Sequence, residues 1–561
     1  MVTTTPEPAP TVLARAAAWA AVDPDPVTRG QVLGLLEAGD HDAIADLFGE
    51  PLRFGTAGMR GRLGPGPGRM NSLLVRRLAA ALASALAGRV TGRPPRVVLG
   101  FDAREGSAVF VEDAAGVLAG SGCDVSVLPG PNPTPLLAFA VRRLDADAGL
   151  QITASHNPRE DNGVKVYLGG DGLGAQIVPP FDSLVSGILD ELPLEPLSFS
   201  PMWRRLDREI GDSYKERVLS LVPSGARSLR IVFTPVHGVG GRPLQDLLLA
   251  AGFTDLHPVR SQFEPDSRFP TAPRPNPEEP GVLDEAFRLA DEVGADIVLA
   301  LDPDADRAAV GLHDGESFRR LSGDDTALIL AEFLLSRSLL PDGVLASSLV
   351  SSTAFPRLAA RHGRRHVFTD TGFKWISRVP GLVFGYEEAL GYSIDPASVR
   401  DKDGISTCVM LAHAAAVLHA EDSSLLDLLD EIRRRDGLTL NLQRTVPLAS
   451  VDPSLFDRIL ASAPSLLGAL PVVAVEDLRT ATPATAAVTL RLRDDSGAHG
   501  RVMLRPSGTE PKLKVYLELS APVGREDAAG QSPDSESRLR AAADAVLVDA
   551  LAFVADLLGP G

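Results

Sequence analysis

Through the first three-quarters of the chain, apolar residues gather in short, mostly apolar runs. Such runs occupy 97–100, 125–128, 148–152, 230–234, 295–301, 344–349, 366–369 and 382–385. Longer segments with helical spacing separate them, at 109–119, 136–141, up to 251, 325–336 and up to 420. A strand that is apolar at every position has both faces buried, so strands of this kind alternating with helices predict mixed, largely parallel sheets covered on both sides. The pattern changes near 438. Segments 438–448, 472–475, 487–492, 501–504 and 514–519 alternate apolar with polar residues, and an apolar-periodic segment, 539–557, closes the chain. That predicts a smaller α+β domain with an antiparallel sheet, and the Gly-, Ser- and Asp-rich stretch 524–537 reads as a mobile surface loop. Residues 1–45 read as a helical, acidic extension. The predicted division is 1–45, then α/β domains over 46–205, 206–315 and 316–430, and the last domain over 431–561. The architecture repeats, without a repeat in the sequence itself.

Composition narrows the functional classes. The chain of 561 residues is 44% hydrophobic and 23% charged, which is ordinary for a globular protein. Two cysteines, Cys123 and Cys408, lie far apart and suit a reducing, cytoplasmic setting better than a disulfide framework. No long uncharged apolar span predicts a membrane helix, and the Ala-rich run after Arg15 reads as a helix rather than a leader. The formal net charge of −18 argues against a nucleic-acid partner, because phosphate backbones are bound by clustered cations. It also means that an anionic substrate would need cations concentrated locally.

Four polar loops follow predicted strands. The first is Thr153-Ala154-Ser155-His156-Asn157-Pro158, with Lys165 ten residues after the serine. Pro158 stiffens it and biases Asn157 away from helix, so it is either a polar strand-end turn or a presented hydroxyl nucleophile. The second, Asp302-Pro303-Asp304-Ala305-Asp306-Arg307, places three carboxylates at alternate positions. It is a solvated acidic turn or a site for a hard cation such as Mg²⁺. An EF-hand is excluded, since the required glycine and terminal glutamate are missing. The third, Gly385-Tyr386-Glu387-Glu388-Ala389-Leu390-Gly391, offers paired carboxylates, either as a helix N-terminus or as acceptors for sugar hydroxyls. The fourth, Arg505-Pro506-Ser507-Gly508-Thr509-Glu510-Pro511-Lys512, is either a plain hairpin, which leaves the leading Arg unexplained, or a phosphate cradle of guanidinium, hydroxyls and amides.

In this order the four loops resemble the α-D-phosphohexomutase superfamily, the phosphoglucomutase/phosphomannomutase enzymes, from Phe54 to Leu557. The helical extension and Phe54-Gly55-Thr56-Ala57-Gly58-Met59-Arg60-Gly61 look most like the branch containing type-2 phosphoglucomutases and phosphopentomutases. The resemblance implies a heart-shaped, four-domain protein, three related α/β domains and a C-terminal α+β domain around one cleft. It implies Ser155 as phosphoserine carrier, and Mg²⁺ held by Asp302, Asp304 and Asp306 with the Ser155 phosphoryl oxygen. Glu387 would bind sugar hydroxyls, and Arg505, Ser507, Gly508 and Thr509 the phosphate that is not reacting. Thr56, Arg60, Lys165, Arg307, Thr371, Gly372, Lys374 and Lys402 match cleft positions, and His156 would assist or orient. Many members carry a serine where this chain has Ala389, so one sugar contact is missing or replaced.

The implied activity is interconversion of glucose or mannose 1-phosphate and 6-phosphate through a bisphosphate, with sugar 1,6-bisphosphate as activator. A phosphopentomutase or a sugar-1,6-bisphosphate synthase would use the same scaffold. An aspartyl phosphatase and a non-catalytic sugar-phosphate binder are the rivals outside the class. Lys165 is expected to transfer protons, with a pKa lowered by a cationic, partly desolvated setting. The expected partners are small sugar phosphates alone, with neither nucleic acid nor membrane, and the expected assembly is a monomer or weak homodimer.

Overall fold

The computed structural model describes residues 11–55, 57–448, 454–481, 485–495, 497–506, 512–522 and 533–558. They form two compact units, one of the residues up to 320 with 391–413, the other of 321–390 with the residues from 414 onward.

The first unit opens with helices Val12–Val22, Pro26–Ala38 and His41–Phe48. Thr11, Asp25 and Asp40 cap their N-termini by accepting backbone N–H bonds. Trp19, Ile44 and Phe48 bury their side chains in the same core as the first large sheet. That sheet runs in the order Phe54–Gly55, Gly58–Arg62, Asp161–Leu168, Ala148–Ile152, Arg96–Phe101, Asp124–Val127, Arg204–Arg205. Its apolar centre is parallel, as the apolar runs predict. Strand Asp161–Leu168 is antiparallel to both Ala148–Ile152 and Gly58–Arg62. The Ser155 loop is therefore a hairpin connection, and it sets Lys165 directly opposite Gln151. Gly58 is obligatory in this arrangement: its φ is 89°, and a Cβ there would lie 2.4 Å from the Val164 carbonyl oxygen.

The second sheet of this unit orders Asp255–Pro258, Arg230–Thr234, Ile297–Leu301, Ala308–His313 and Phe318–Arg320. Its first three strands are parallel and its last two antiparallel. The three-aspartate loop joins Ile297–Leu301, buried at every position, to Ala308–His313.

In the second unit, Arg365–Thr369, Val344–Ser348 and Leu382–Glu387 pair in parallel. A six-stranded antiparallel sheet follows, from Leu438–Pro447 at one end to Leu466–Leu467 at the other. Leu539, Ala543, Val546, Ala550 and Val554 of the closing helix complete its core. That helix spans Pro533–Leu558 and so begins before the predicted start at 539. Proline suits the first helical turn, where its missing N–H is not needed. Residues 533–537 are therefore helix rather than loop, and 524–532 lie outside the described residues.

Among the described residues no single helix is long and apolar enough to cross a membrane. Cys123 and Cys408 are both buried and unpaired.

Candidate active site

Ser155 is 1% exposed and holds a left-handed backbone, φ 53°. For a residue with a Cβ this costs about 1–3 kcal/mol, which the surrounding contacts must offset. Its backbone N–H donates to Thr153 Oγ1 at 2.8 Å. Its Oγ donates to Asp302 Oδ2 at 2.8 Å and lies 3.1 Å from His156 Nδ1. The serine thus reaches an aspartate 147 residues away in sequence.

Asp302, Asp304 and Asp306 are buried, and one carboxylate oxygen from each lies within 4.8 Å of the others. Lys165 Nζ, itself fully buried, donates to Asp304 Oδ2 and Asp306 Oδ2, both at 2.6 Å. Lys402 Nζ lies 3.3 Å from Asp306 Oδ2. Thr134 Oγ1 donates to Asp304 Oδ2 at 2.6 Å, and the Thr134 N–H to the Asp304 carbonyl at 2.9 Å. The Arg307 N–H donates to Asp302 Oδ1 at 3.0 Å, and its guanidinium reaches Glu278 at 3.4 Å. Arg60 NH1 donates to Asn157 Oδ1 at 3.2 Å.

The Oδ1 atoms of Asp304 and Asp306 are buried without a hydrogen-bond partner. Such atoms are costly unless something compensates them. Three clustered carboxylates, two of them with an unpartnered oxygen, fit a divalent cation, so this cluster can hold a metal.

The electrostatics divide the groups. Burial and the charges of Asp304 and Asp306 push the Asp302 carboxyl well above the usual carboxylate range. Burial also opposes ionisation of Asp306, but Lys165, Lys402 and Arg307 overcome it and hold its pKa low. Burial works to lower the Lys165 pKa; Asp304 and Asp306 together outweigh it and raise it. This corrects the expectation of a lowered value, because the groups closest to the ammonium are anions rather than cations. Burial, then Arg307 and Arg60, push His156 well below its ordinary pKa, so its imidazole is neutral.

A second loop braces the aspartates. Val236 and His237 are both left-handed, at φ 47° and 59°. The chain then passes so close to Pro303 that a Cβ on Gly238 would lie 2.3 Å from its Cα. The Val239 N–H donates to the Pro303 carbonyl at 2.9 Å. Asp401 anchors Lys402 from behind: it accepts from Tyr167 Oη at 2.6 Å, Gln176 Nε2 at 2.7 Å and the Lys402 N–H at 2.8 Å.

In the second unit, Glu387 is the last residue of strand Leu382–Glu387 and is 9% exposed. The reading of the paired glutamates as a helix N-terminus is thereby overturned. Glu388 turns away from its neighbour and accepts from Ser348 Oγ at 2.8 Å, and Ala389 is half-buried. Gly372, φ 103°, starts the short helix Phe373–Ile376 that carries Lys374. Thr371 Oγ1 is buried without a partner. Arg505, near the end of strand His499–Pro506, lies 3.8 Å from Asp370 next to Thr371. The structure thus brings Arg505 close to the 370–374 turn. Thr56, Ser507, Gly508 and Thr509 lie outside the described residues.

Sequence reasoning missed Thr134, Arg104, Tyr167, Asp370 and the bracing loop. Only the loop left a signal, its glycines at 238, 240 and 241 after a strand; the others act through long-range contacts.

Four family profiles match in order, described as phosphoglucomutase/phosphomannomutase α/β/α domain I over residues 51–192, domain II over 212–315, domain III over 322–435 and the C-terminal domain over 470–525. A "Probable phosphomannomutase" of Haemophilus influenzae is 37% identical over 481 residues, covering 85% of this chain and 96% of the relative. The human protein named "Phosphopentomutase" is 33% identical over 567 residues, covering 91% and 92%. The crystal structure of a putative phosphomannomutase from Thermus thermophilus superposes with a TM-score of 0.70 at 26% identity, covering 90% of this chain and 99% of that one. The four domains, their mixed sheets and the buried serine–aspartate centre lead to one conclusion: the chain belongs to the phosphoglucomutase/phosphomannomutase family of sugar phosphomutases.

Proposed function

We propose that this enzyme moves a phosphoryl group between the 1- and 6-hydroxyls of glucose or mannose phosphate, by way of phosphorylated Ser155 and a bound sugar 1,6-bisphosphate. The observation that carries this reading is a buried hydroxyl, held in a strained backbone against Asp302, beside carboxylates with two unpaired oxygens.

In the first half-reaction the phosphorus–Oγ bond breaks as a bond forms to the free sugar hydroxyl. That hydroxyl loses a proton and Ser155 Oγ gains one. Lys165, kept protonated by Asp304 and Asp306, gives the proton to Oγ and recovers one from the sugar. Neutral His156 orients Oγ. Arg60, Lys165, Arg307 and Lys402 offset charge on the transferring group, and such charge stabilisation dominates catalysis of phosphoryl transfer. Asp302, Asp304 and Asp306, with an oxygen of phospho-Ser155, would hold Mg²⁺, which adds Lewis-acid neutralisation of the phosphoryl oxygens. Glu387 takes the sugar hydroxyls, with Ala389 beside it. Thr56, Thr371, Gly372 and Lys374 line the sugar-phosphate site. Arg505, Ser507, Gly508 and Thr509 hold the phosphate that is not reacting. The second half-reaction returns the other phosphate to Ser155.

Sugar 1,6-bisphosphate serves as activator by priming Ser155. The enzyme works in the cytoplasm on small sugar phosphates, without nucleic acid or membrane, as a monomer or weak homodimer. Its domains divide at 46–205, 206–315, 316–430 and 431–561, after the extension 1–45. Ala389 lacks the hydroxyl that many family members present at this position, so one sugar contact is missing or replaced, and the pentose phosphates are the second reading.

A coupled assay with Mg²⁺ and bisphosphate across glucose, mannose, ribose and deoxyribose 1-phosphates tests the reading. Turnover of glucose or mannose 1-phosphate is expected. Turnover of pentose phosphates alone would replace the hexose assignment, and release of inorganic phosphate without isomerisation would end the mutase reading.

A further inference from the structure

Arg104 holds the Ser155 loop from behind. Its NH1 donates to the carbonyls of Pro158 at 2.8 Å and Asp161 at 3.0 Å. Its NH2 donates to those of Ser155 at 2.7 Å and Asn157 at 2.6 Å. The side chain is 1% exposed, and its Nε lies 3.5 Å from Asp102 Oδ2. Asp102 in turn accepts from Thr153 Oγ1 and Ser107 Oγ, each at 2.7 Å. One guanidinium therefore gathers carbonyls from four residues of a single hairpin connection.

The other support is a ring. Phe269, from the Pro-rich segment of the second sheet's domain, lies 5.0 Å from the Arg104 guanidinium carbon. It is 2% exposed and left-handed, φ 44°. It also packs edge-on to His237, the residue before the glycine that abuts Pro303. The serine loop and the aspartate loop are thus braced through one packed layer.

Several carbonyl dipoles converging on one point repel each other unless a cation with matched, fixed donors sits there. A planar guanidinium meets that need; an ammonium supplies the charge without the fork. None of these bonds reaches the reacting atoms, so the effect on chemistry must pass through the backbone of Ser155.

We propose that Arg104, seated on Phe269, is a positioning residue that fixes the left-handed backbone of Ser155 and so decides whether its phosphoryl group passes to sugar or to water. In the leak reaction a water oxygen bonds to phosphorus as the phosphorus–Oγ bond breaks; inorganic phosphate leaves, and Oγ takes up a proton. This inference rests on the reading of Ser155 as carrier.

The test uses the full chain with Mg²⁺, primed with glucose 1,6-bisphosphate. Intact mass first shows whether unmodified Ser155 takes up phosphate; no uptake ends the carrier reading itself. Given uptake, Arg104→Lys is compared for kcat, KM and the ratio of phosphate released to sugar isomerised. A displacement of the order of 1 Å is expected to lower kcat about 100-fold, with KM within about threefold and the leak ratio raised about tenfold on the same free-energy scale. Loss of kcat in proportion to loss of folded protein, with the ratio unchanged, overturns the positioning role. If Arg104→Lys does not fold, Phe269→Leu keeps the charge and the carbonyl bonds but removes the stacked ring. A raised leak ratio supports the proposal there, and an unchanged one overturns it.

Discussion

Among the described residues, one acidic cluster in each unit can be compared, and the two are solved in opposite ways. Asp302, Asp304 and Asp306 face Lys165 and Lys402, yet two of their oxygens have no partner. Asp324, Glu388 and Glu518 are satisfied by local groups. Asp324 Oδ1 accepts from the Ser352 N–H at 2.7 Å and Tyr386 Oη at 2.9 Å. Glu388 takes the hydroxyls of Ser348 and Ser351. Glu518 takes the Thr353 N–H at 2.9 Å and Arg501 NH2 at 3.1 Å, while Arg501 also donates to the carbonyls of Leu349 and Ser351. No oxygen of the second trio is among the unpartnered buried atoms of the described residues. The first trio is fully buried, whereas Glu388 of the second is half-buried; unmet bonding capacity further distinguishes a ligand site from a structural joint.

The contrast can be broken from either side. Ser155→Ala is expected to lower mutase turnover by about 10⁴-fold or more, the scale set by removing an attacking hydroxyl, with an unchanged unfolding transition. Near-normal turnover in the coupled assay would remove the first cluster's claim to chemistry. On the other side, Arg501→Ala leaves Glu518 buried without its cation, and breaking such a pair costs about 3–5 kcal/mol. Denaturant unfolding should show that loss while Mg²⁺ affinity stays within twofold of the starting protein by calorimetry.

Asp304→Asn sharpens the metal half. Removing one anionic donor should weaken Mg²⁺ binding by about 100-fold, the upper range seen even for groups that only support ligands. Calorimetric titration giving unchanged affinity would place the cation elsewhere. The smallest effect concerns Asp324, which burial pushes up to about 7. A folded pKa above the unfolded value means that the native state binds the extra proton as pH rises from about 4 to 7, so stability falls across that window. Asp324→Asn keeps an acceptor without the charge. Its effect should be more stabilising near pH 8 than near pH 5 by about 2–3 kcal/mol. A flat difference between the two pH values would show that the carboxyl is ionised throughout.

The parts legible in advance share a cause. Strand runs at 97–100 and 297–301 are apolar at every position, and 148–152 at all but Gln151, because both faces are covered, and that needs no knowledge of the partner strands. The antiparallel insertion of Asp161–Leu168 beside Ala148–Ile152 was not legible, since pairing direction depends on the connection. By its residues alone the paired-glutamate loop read better as a helix start; only the pairing of Leu382–Glu387 into the parallel sheet placed Glu387 at a strand end. The start of the last helix at Pro533 was missed because the polar residues that follow it carry no apolar period.

By itself the sequence determined which groups are available and where on the strands they sit: a serine, three aspartates, paired glutamates and an arginine, each at or just past a strand end. Local chain chemistry sets those positions, so local pattern reveals them. The tertiary structure alone decided their states. It brought Lys165 to aspartates 139 and 141 residues away, which turned an expected lowered pKa into a raised one. It set Arg104 behind the serine loop, and it left the free oxygens on Asp304 and Asp306. Charge state and unmet bonding depend on distances of a few ångströms between residues remote in sequence, and no local pattern encodes those.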